Sequence, residues 1–274
     1  MEFLIHQWWL VPLGFVLGAF GTLIGAGGGF ILVPLLLLLY PQESPDLITG
    51  ISLAVAFFNT LSGSLAYGRM KRIDYKSGIL FSIATIPGAI LGALSTAYVP
   101  RRLFDAIFGV LMIAGSLFLL VRPTNLKQPG EGDESRHLKR TLIEADATVH
   151  TFSYNPRLGV GLSLFVGYLS SFLGVGGGFI HVPALVHLLN FPIHIATATS
   201  QFMLAIMTLT GTLVHVATGT FSRGIRRTIL LAIGALPGAQ LGAKLSNRVQ
   251  GHWIIRGLAV ALALVGIRLL LSAG

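Results

Sequence analysis

Apolar residues in this chain come in long blocks, not in the stripe of an amphipathic helix. "LVPLGFVLGAFGTLIGA", "ITGISLAVAFFNTLSGSLAYG", "SGILFSIATIPGAILGALSTAYV" and "LFDAIFGVLMIAGSLFLLV" follow one another across short polar gaps, and matching blocks fill the second half. Each approaches the roughly 20 residues that a helix needs to cross hydrocarbon. The pattern predicts an all-α polytopic integral membrane protein.

Composition agrees. Of the 274 residues 53% are hydrophobic and only 11% charged, against about 25% charged in an ordinary soluble domain. The formal net charge of +9 would suggest nucleic acid on a soluble protein. Here the basic residues sit in the gaps between apolar blocks, as at Arg69, Lys71, Arg72 and Lys76, or Arg223, Arg226 and Arg227. That is where cations orient membrane helices and meet anionic headgroups. No nucleic-acid partner is expected. The chain has no cysteine, which removes disulfides and thiolate chemistry.

The blocks are written twice. "GAGGGFILVP" at 25–34 returns as "GVGGGFIHVP" at 174–183. "TGISLAVAFFNTLSG" from Thr49 aligns with "TATSQFMLAIMTLTG" from Thr197, pairing Ser52 with Ser200, and "IPGAILGA" at 86–93 pairs with "LPGAQLGA" at 236–243. Two homologous repeats are expected, residues 1–121 and 158–274, each of four to five helical segments. Between them, 122–157 is the one long polar stretch, with six of nineteen basic and five of ten acidic residues. It reads as a linker loop with a short helix around 135–147, cytoplasmic by the positive-inside rule. An arrangement with parallel repeats puts about fourteen basic residues inside and five outside, and an inverted one about thirteen and six. Charge therefore does not separate the two, and inverted repeats are the commoner transporter design.

Glycine costs a helix roughly 1 kcal/mol relative to alanine, so three in a row invite the helix to end. In lipid, backbone without helical partners is tolerated only where it is buried in protein or lines a wet cavity. Each triple glycine is thus expected to be a glycine-broken helix or re-entrant hairpin, the two meeting near the midplane. The N–H groups of the helix that restarts favour a small anion. The glycines of "GAILG" and "GAQLG" fit the small-xxx-small pattern of helix packing instead. No third glycine completes G-x-G-x-x-G and no G-x-x-x-x-G-K-[ST] occurs, so neither a dinucleotide nor ATP is expected.

Polar residues inside apolar blocks are costly and mark cavities or partners. The first half offers Thr49, Ser52, Asn59, Ser62 and Tyr67; the second offers Thr197, Thr199, Ser200, Gln201 and His215. His181 breaks the symmetry of the second signature, where the first has Leu32. Imidazole titrates near neutrality, so proton coupling through His181 or His215 stays open. No metal constellation, nucleophile set or cofactor motif appears, and Asp105 is the one carboxylate read as lying within a membrane block. Neither catalysis nor a cofactor is expected.

These features resemble the sulfite exporter TauE/SafE family, also called the toluene sulfonate uptake permease family. The resemblance rests on "GFVLGAFGTLIGAGGGFILVPLLL", "GYLSSFLGVGGGFIHVPAL" and the "PGAxLGA" element of each half. It implies secondary transport of a small sulfur-containing anion, such as sulfite or an organosulfonate, across the cytoplasmic (inner) membrane. Another small organic anion, or an anion channel, is the alternative. Carried over by position, Gly25, Gly27, Gly28, Gly29, Gly174, Gly176, Gly177 and Gly178 would stand at the substrate. The polar residues expected beside them are Ser52, Asn59, His181, Thr197, Ser200 and Gln201. Export is the expected direction, since a negative-inside potential drives an anion outward and, Asp105 aside, the membrane blocks lack carboxylates to couple import.

Overall fold

The computed structural model describes residues 7–121 and 138–273, apart from 247 and 250. It is an all-α bundle with one small β-hairpin. The first half contains α1 (Leu10–Ile24), α2 (Gly29–Leu39), α3 (Pro45–Arg69), α4 (Tyr75–Thr96) and α5 (Arg101–Val121). The same order returns as α6 (Pro156–Leu173), α7 (Gly178–His187), α8 (Ile193–Ala217), α9 (Ile225–Leu245) and α10 (Gly251–Ala273). Five described helices, α3, α4, α6, α8 and α9, are long and apolar enough to cross a membrane. At 1.5 Å per residue α2 and α7 reach only about half of the roughly 30 Å of hydrocarbon.

Glycine stripes decide which helices touch. α1 and α9 run parallel: Gly234 lies on Val11, Gly238 on Phe15 and Gly242 on Ala19, and a Cβ on Gly234 would come within 1.9 Å of the Val11 carbonyl oxygen. Likewise α4 and α6 run parallel, with Gly88 on Leu164 and Gly92 on Tyr168. Small residues let two backbones approach this closely where lipid offers no hydrophobic drive to associate. The packing role read from "GAILG" and "GAQLG" is therefore what those glycines perform. The pairings are exchanged between halves, since α1 packs on a helix of the second half and α6 on a helix of the first.

The long helices α3 and α8 cross antiparallel at the centre, with Gly50 against His215, Leu53 against Gly211 and Gly63 against Gln201. α5 and α10 are antiparallel too, and Ser116 Oγ donates to the Ala259 carbonyl at 2.8 Å. α1 and α2 form a helical hairpin. The Tyr40 ring after α2 stacks on Arg227 at 3.8 Å, in the first turn of α9, which begins level with the start of α1. In the second half Leu189, just past α7, comes 3.3 Å from a Cβ on Gly159 in the first turn of α6. Of the arrangements open from sequence, the hairpin is the one observed.

One expectation is corrected. Over 138–154 the chain forms an antiparallel hairpin, β1 (Leu138–Ile143) with β2 (Val149–Tyr154), where a short helix over 135–147 was expected; 135–137 lie outside the described residues. The hairpin docks on one end of the bundle. Arg140 Nη2 donates to Asp74 Oδ1 at 2.6 Å, Arg72 pairs with Glu144, and the Phe152 and Tyr154 rings lie 4.4 and 5.2 Å from that of Phe191. Asp74 is itself the N-cap of α4 and its N–H donates to Thr199 Oγ1 in α8 at 3.1 Å.

Packing through glycine backbones gives a direct expectation. Gly234→Ala inserts a methyl into the α1–α9 contact and should destabilise by about 1–3 kcal/mol or more, read as a lower melting temperature in detergent. Gly161→Ala on α6 meets nothing within 4 Å and should leave the melting temperature unchanged or raise it slightly, since alanine favours the helix.

Candidate functional site

The two glycine breaks have one backbone conformation written twice. Gly25, Gly27 and Gly28 take φ of 81°, 73° and 77°, and Gly174, Gly176 and Gly177 take 72°, 74° and 84°. All six lie in the left-handed region that side chains avoid. α1 stops because the N–H groups of Ala26 and Gly27 both turn back to the Gly21 carbonyl at 2.8 and 3.1 Å. α6 stops in the same way, with Val175 N donating to the Ser170 carbonyl at 3.0 Å. The next helix restarts immediately, as the Gly28 and Gly177 carbonyls accept from Ile31 and Leu32, and from Ile180 and His181. Among the described residues no acceptor meets the N–H groups of Gly28, Gly29 and Phe30, or of Gly177, Gly178 and Phe179. These are the free positive ends of α2 and α7.

The breaks abut. A Cβ on Gly178 would lie 2.1 Å from the Gly25 carbonyl oxygen, and one on Gly29 would lie 2.8 Å from Val175. Around them α3 and α8 cross over. Thr197 of α8 presses on Gly25 in the first break, and Thr49 of α3 presses on Gly174 in the second.

All fourteen residues expected at the substrate are buried. Ser200 Oγ donates to the Gly25 carbonyl at 3.2 Å and Gln201 Nε2 to the Gly21 carbonyl at 3.3 Å. Asn59 accepts from Thr22 Oγ1 at 3.2 Å and lines a cavity with Leu17, Gly27, Gly28 and Gly29. Its Nδ2 has no partner among the described residues, and the same holds for Thr197 Oγ1 and Gln201 Oε1. Ser52 and His181 stand apart: their polar side-chain atoms are buried without partners, and no polar contact joins them to either break. His181 is nonetheless in the first turn of α7, its N–H bonded to the Gly177 carbonyl at 2.9 Å.

Several residues at the breaks were not found from sequence. Thr22 joins Asn59 to Tyr67, whose hydroxyl donates to the Thr22 carbonyl at 3.0 Å. Ser170 and Ser171 end α6 with unpartnered hydroxyls, and Thr60 and Thr208 bring their methyls against Gly27 and Gly176. Thr22 and Ser171 occupy the same place in the two signatures, three residues before the first glycine, so aligning the halves one turn further back would have located both.

The site is a ring of backbone amides, hydroxyls and carboxamides without a charged side chain at either break. Neutral donors can hold an oxyanion while leaving it free to dissociate. The cavity beside Asn59 measures about 10 Å³, which is room for one water at most. As it stands this cavity is too small to hold an oxyanion.

The contacts separate tight glycines from loose ones. Gly178→Ala would place its methyl on the Gly25 carbonyl and should yield no folded protein. Gly176→Ala meets its nearest neighbours at 3.4 and 3.5 Å and is strained only by its positive φ, so it should fold with a loss of about 1–2 kcal/mol. Melting curves of the two purified variants check the contrast; equal behaviour would refute the interlock.

Comparison with known proteins agrees with this architecture. The profile of the family "Sulfite exporter TauE/SafE" matches residues 10–269. The chain is 34% identical to the probable membrane transporter protein YunE of Bacillus subtilis, over 95% of this chain and 96% of that protein. It is 24% identical to a probable membrane transporter protein of Methanocaldococcus jannaschii, over 98% and 97%, and 25% identical to YdhB of Bacillus subtilis, over 95% and 99%. No solved structure matches the chain. With nearly its full length covered by the family profile, this multi-pass membrane transporter belongs to the sulfite exporter TauE/SafE family.

Proposed function

We propose that the protein is a secondary carrier for a small sulfur-containing anion, sulfite or an organosulfonate, working by alternating access in the cytoplasmic membrane. One observation carries the reading: two abutting helix N-termini with unpaired N–H groups, ringed by neutral donors. Such a place suits an anion. The family name adds the sulfur chemistry.

The halves 1–121 and 158–274 act as inverted repeats joined by the connector 122–157. The antiparallel crossing of the equivalent helices α3 and α8 supports this, since a rotation exchanging them must turn the membrane over. Each half then contributes one re-entrant hairpin and three crossings, the inverted design of many carriers. Counted by sequence, about thirteen basic residues fall at the end bearing the β-hairpin and six at the other. The β-hairpin end is therefore cytoplasmic by the positive-inside rule. A negative-inside potential drives an anion outward at roughly 2.3 kcal/mol per charge per 100 mV, so export needs no coupling ion.

Sulfite flux into liposomes holding the purified protein tests the reading, with and without sulfite on the far side and at two imposed potentials. A carrier gives saturable flux that speeds up with sulfite on the far side, and Asn59→Ala should slow it at least about tenfold, as expected for loss of a buried donor to an anion. Flux unaffected by far-side sulfite would indicate a channel instead. Absence of sulfite flux from folded protein would exclude sulfite and turn the search to organosulfonates and carboxylates.

A further inference from the structure

At the end of the bundle opposite the β-hairpin, His215 in the last turn of α8 lies buried beside Asp46 in the first turn of α3, with Nδ1 3.0 Å from Asp46 Oδ1. The approach is close but lacks the alignment of a hydrogen bond, and Nε2 also has no partner among the described residues. The His215 side chain lies against Gly50, where a Cβ would come within 3.2 Å of it. Asp46 thus places a carboxylate at the crossing of α3 and α8. We propose that His215 and Asp46 form a proton-binding site, and that loading it closes this end of the carrier. The proposal rests on the alternating-access reading above.

Among the described residues no other carboxylate or imidazole pairs with His215 or Asp46. Of the other charged groups at this end, Glu43 is paired with Arg227 of α9 at 3.0 Å. Arg101 of α5 donates to the carbonyls of Leu37, Tyr40, Pro41 and Glu43 and pairs with Asp105 at 3.3 Å. Arg223 precedes α9 and Arg226 lies in its first turn, and among the described residues neither pairs with Asp46. From the short helical turn Thr220–Arg223, Thr220 offers only a hydroxyl.

The pair joins the two helices that cross at the centre. A protonated imidazole beside a carboxylate makes a charge-assisted contact about twice as strong as a neutral one. The carboxylate that rewards a proton on His215 is present only while the ends of α3 and α8 are together. Linkage then requires the converse: protons favour the closed end over the open one. The effect reaches the anion site within one helical turn, because Thr49 Oγ1 donates to the Asp46 carbonyl at 3.0 Å while its backbone presses on Gly174. The equivalent place in the first half holds Tyr67, bonded to Thr22, and the residue equivalent to Asp46 is His194. The equivalent place in the first half therefore has no such pair between its crossing helices. The histidine–carboxylate pair at the opposite end, His150 with Glu144 at 2.8 Å, lies within the β-hairpin, and acid at the Asp46 face should hinder release of the cargo there.

The cysteine-free chain allows a test that needs no cargo. Gln42→Cys and Ala217→Cys, both at exposed positions, carry spin labels across this end in lipid nanodiscs, and pulsed EPR reports their separation between pH 8 and pH 5.5. Acid should raise the ratio of short to long distances by roughly tenfold, within the usual range of allosteric coupling. His215→Gln and Asp46→Asn in the labelled background should each remove that response while remaining monodisperse. A distance distribution indifferent to pH, or an equal response in both variants, overturns the proposal. Sulfite flux in the same variants, normalised to the variant lacking His215 so that titration of sulfite cancels, should show the wild type alone slowed by acid at this face. If wild-type protein moves no sulfite, the cargo assignment fails while the EPR result still decides the proton site.

Discussion

A chain that leaves its helix inside an apolar medium must give every exposed backbone group a place, and here the two departures are placed against each other. The carbonyls at the ends of α1 and α6 are met by the turning chain, at Gly21 and Ser170. The backbone of Gly178 then lies on Gly25 and Ala26, and that of Gly29 on Val175. Only residues without a side chain allow it. The remaining amides, at the starts of α2 and α7, are left facing the shared centre. The signature glycines, the hairpin form of each broken segment and the polarity of the site follow from this one contact.

The two breaks have the same backbone but different company. Asn59 beside the first is Met207 beside the second; Gln201 on α8 is matched by Leu53 on α3, and His181 by Leu32. The first break is consequently ringed by amides, the second by serine hydroxyls and a thioether. The two scaffolds have the same backbone form, and different residues at a few matched positions make the two faces chemically distinct.

Much of this was legible in advance. Apolar blocks gave the helices, and the repeated glycines gave the breaks, because the energetic penalty of glycine in a membrane helix is high enough to demand a reason. Hydroxyls such as Thr22 and Ser171 were harder to see, because a single Ser or Thr in a helix usually bonds to its own preceding turn, as Thr60 and Thr208 do here. Their role depends on which neighbour they meet, Asn59 and Tyr67 of α3 for Thr22 and Gly211 of α8 for Ser171, and that is set by tertiary packing. The β-hairpin was missed for a different reason. "LKRTLI" does not alternate and "VHTFSY" does so only at its end, where Phe152 and Tyr154 are buried while Leu138, Ile143 and Val149 are exposed, and dense charge around them reads as a loop. Asp46 escaped because it sits at a helix start, where an acidic residue is ordinarily explained by the helix dipole.

The exchange of hairpins between halves also bears on how the molecule is made. α1 leaves the ribosome early, yet the surface it needs, Leu231 to Gly242 on α9, is more than two hundred residues away in sequence. Until that helix arrives, the glycine face of α1 and the open amides of α2 have nothing to lie against, and separations of this kind are slow to close. The first hairpin must wait in the translocation machinery or at its edge, a half-buried guest, and take its place only when synthesis of the chain is almost over. Assembly of this transporter thus closes its first helix onto its last but one.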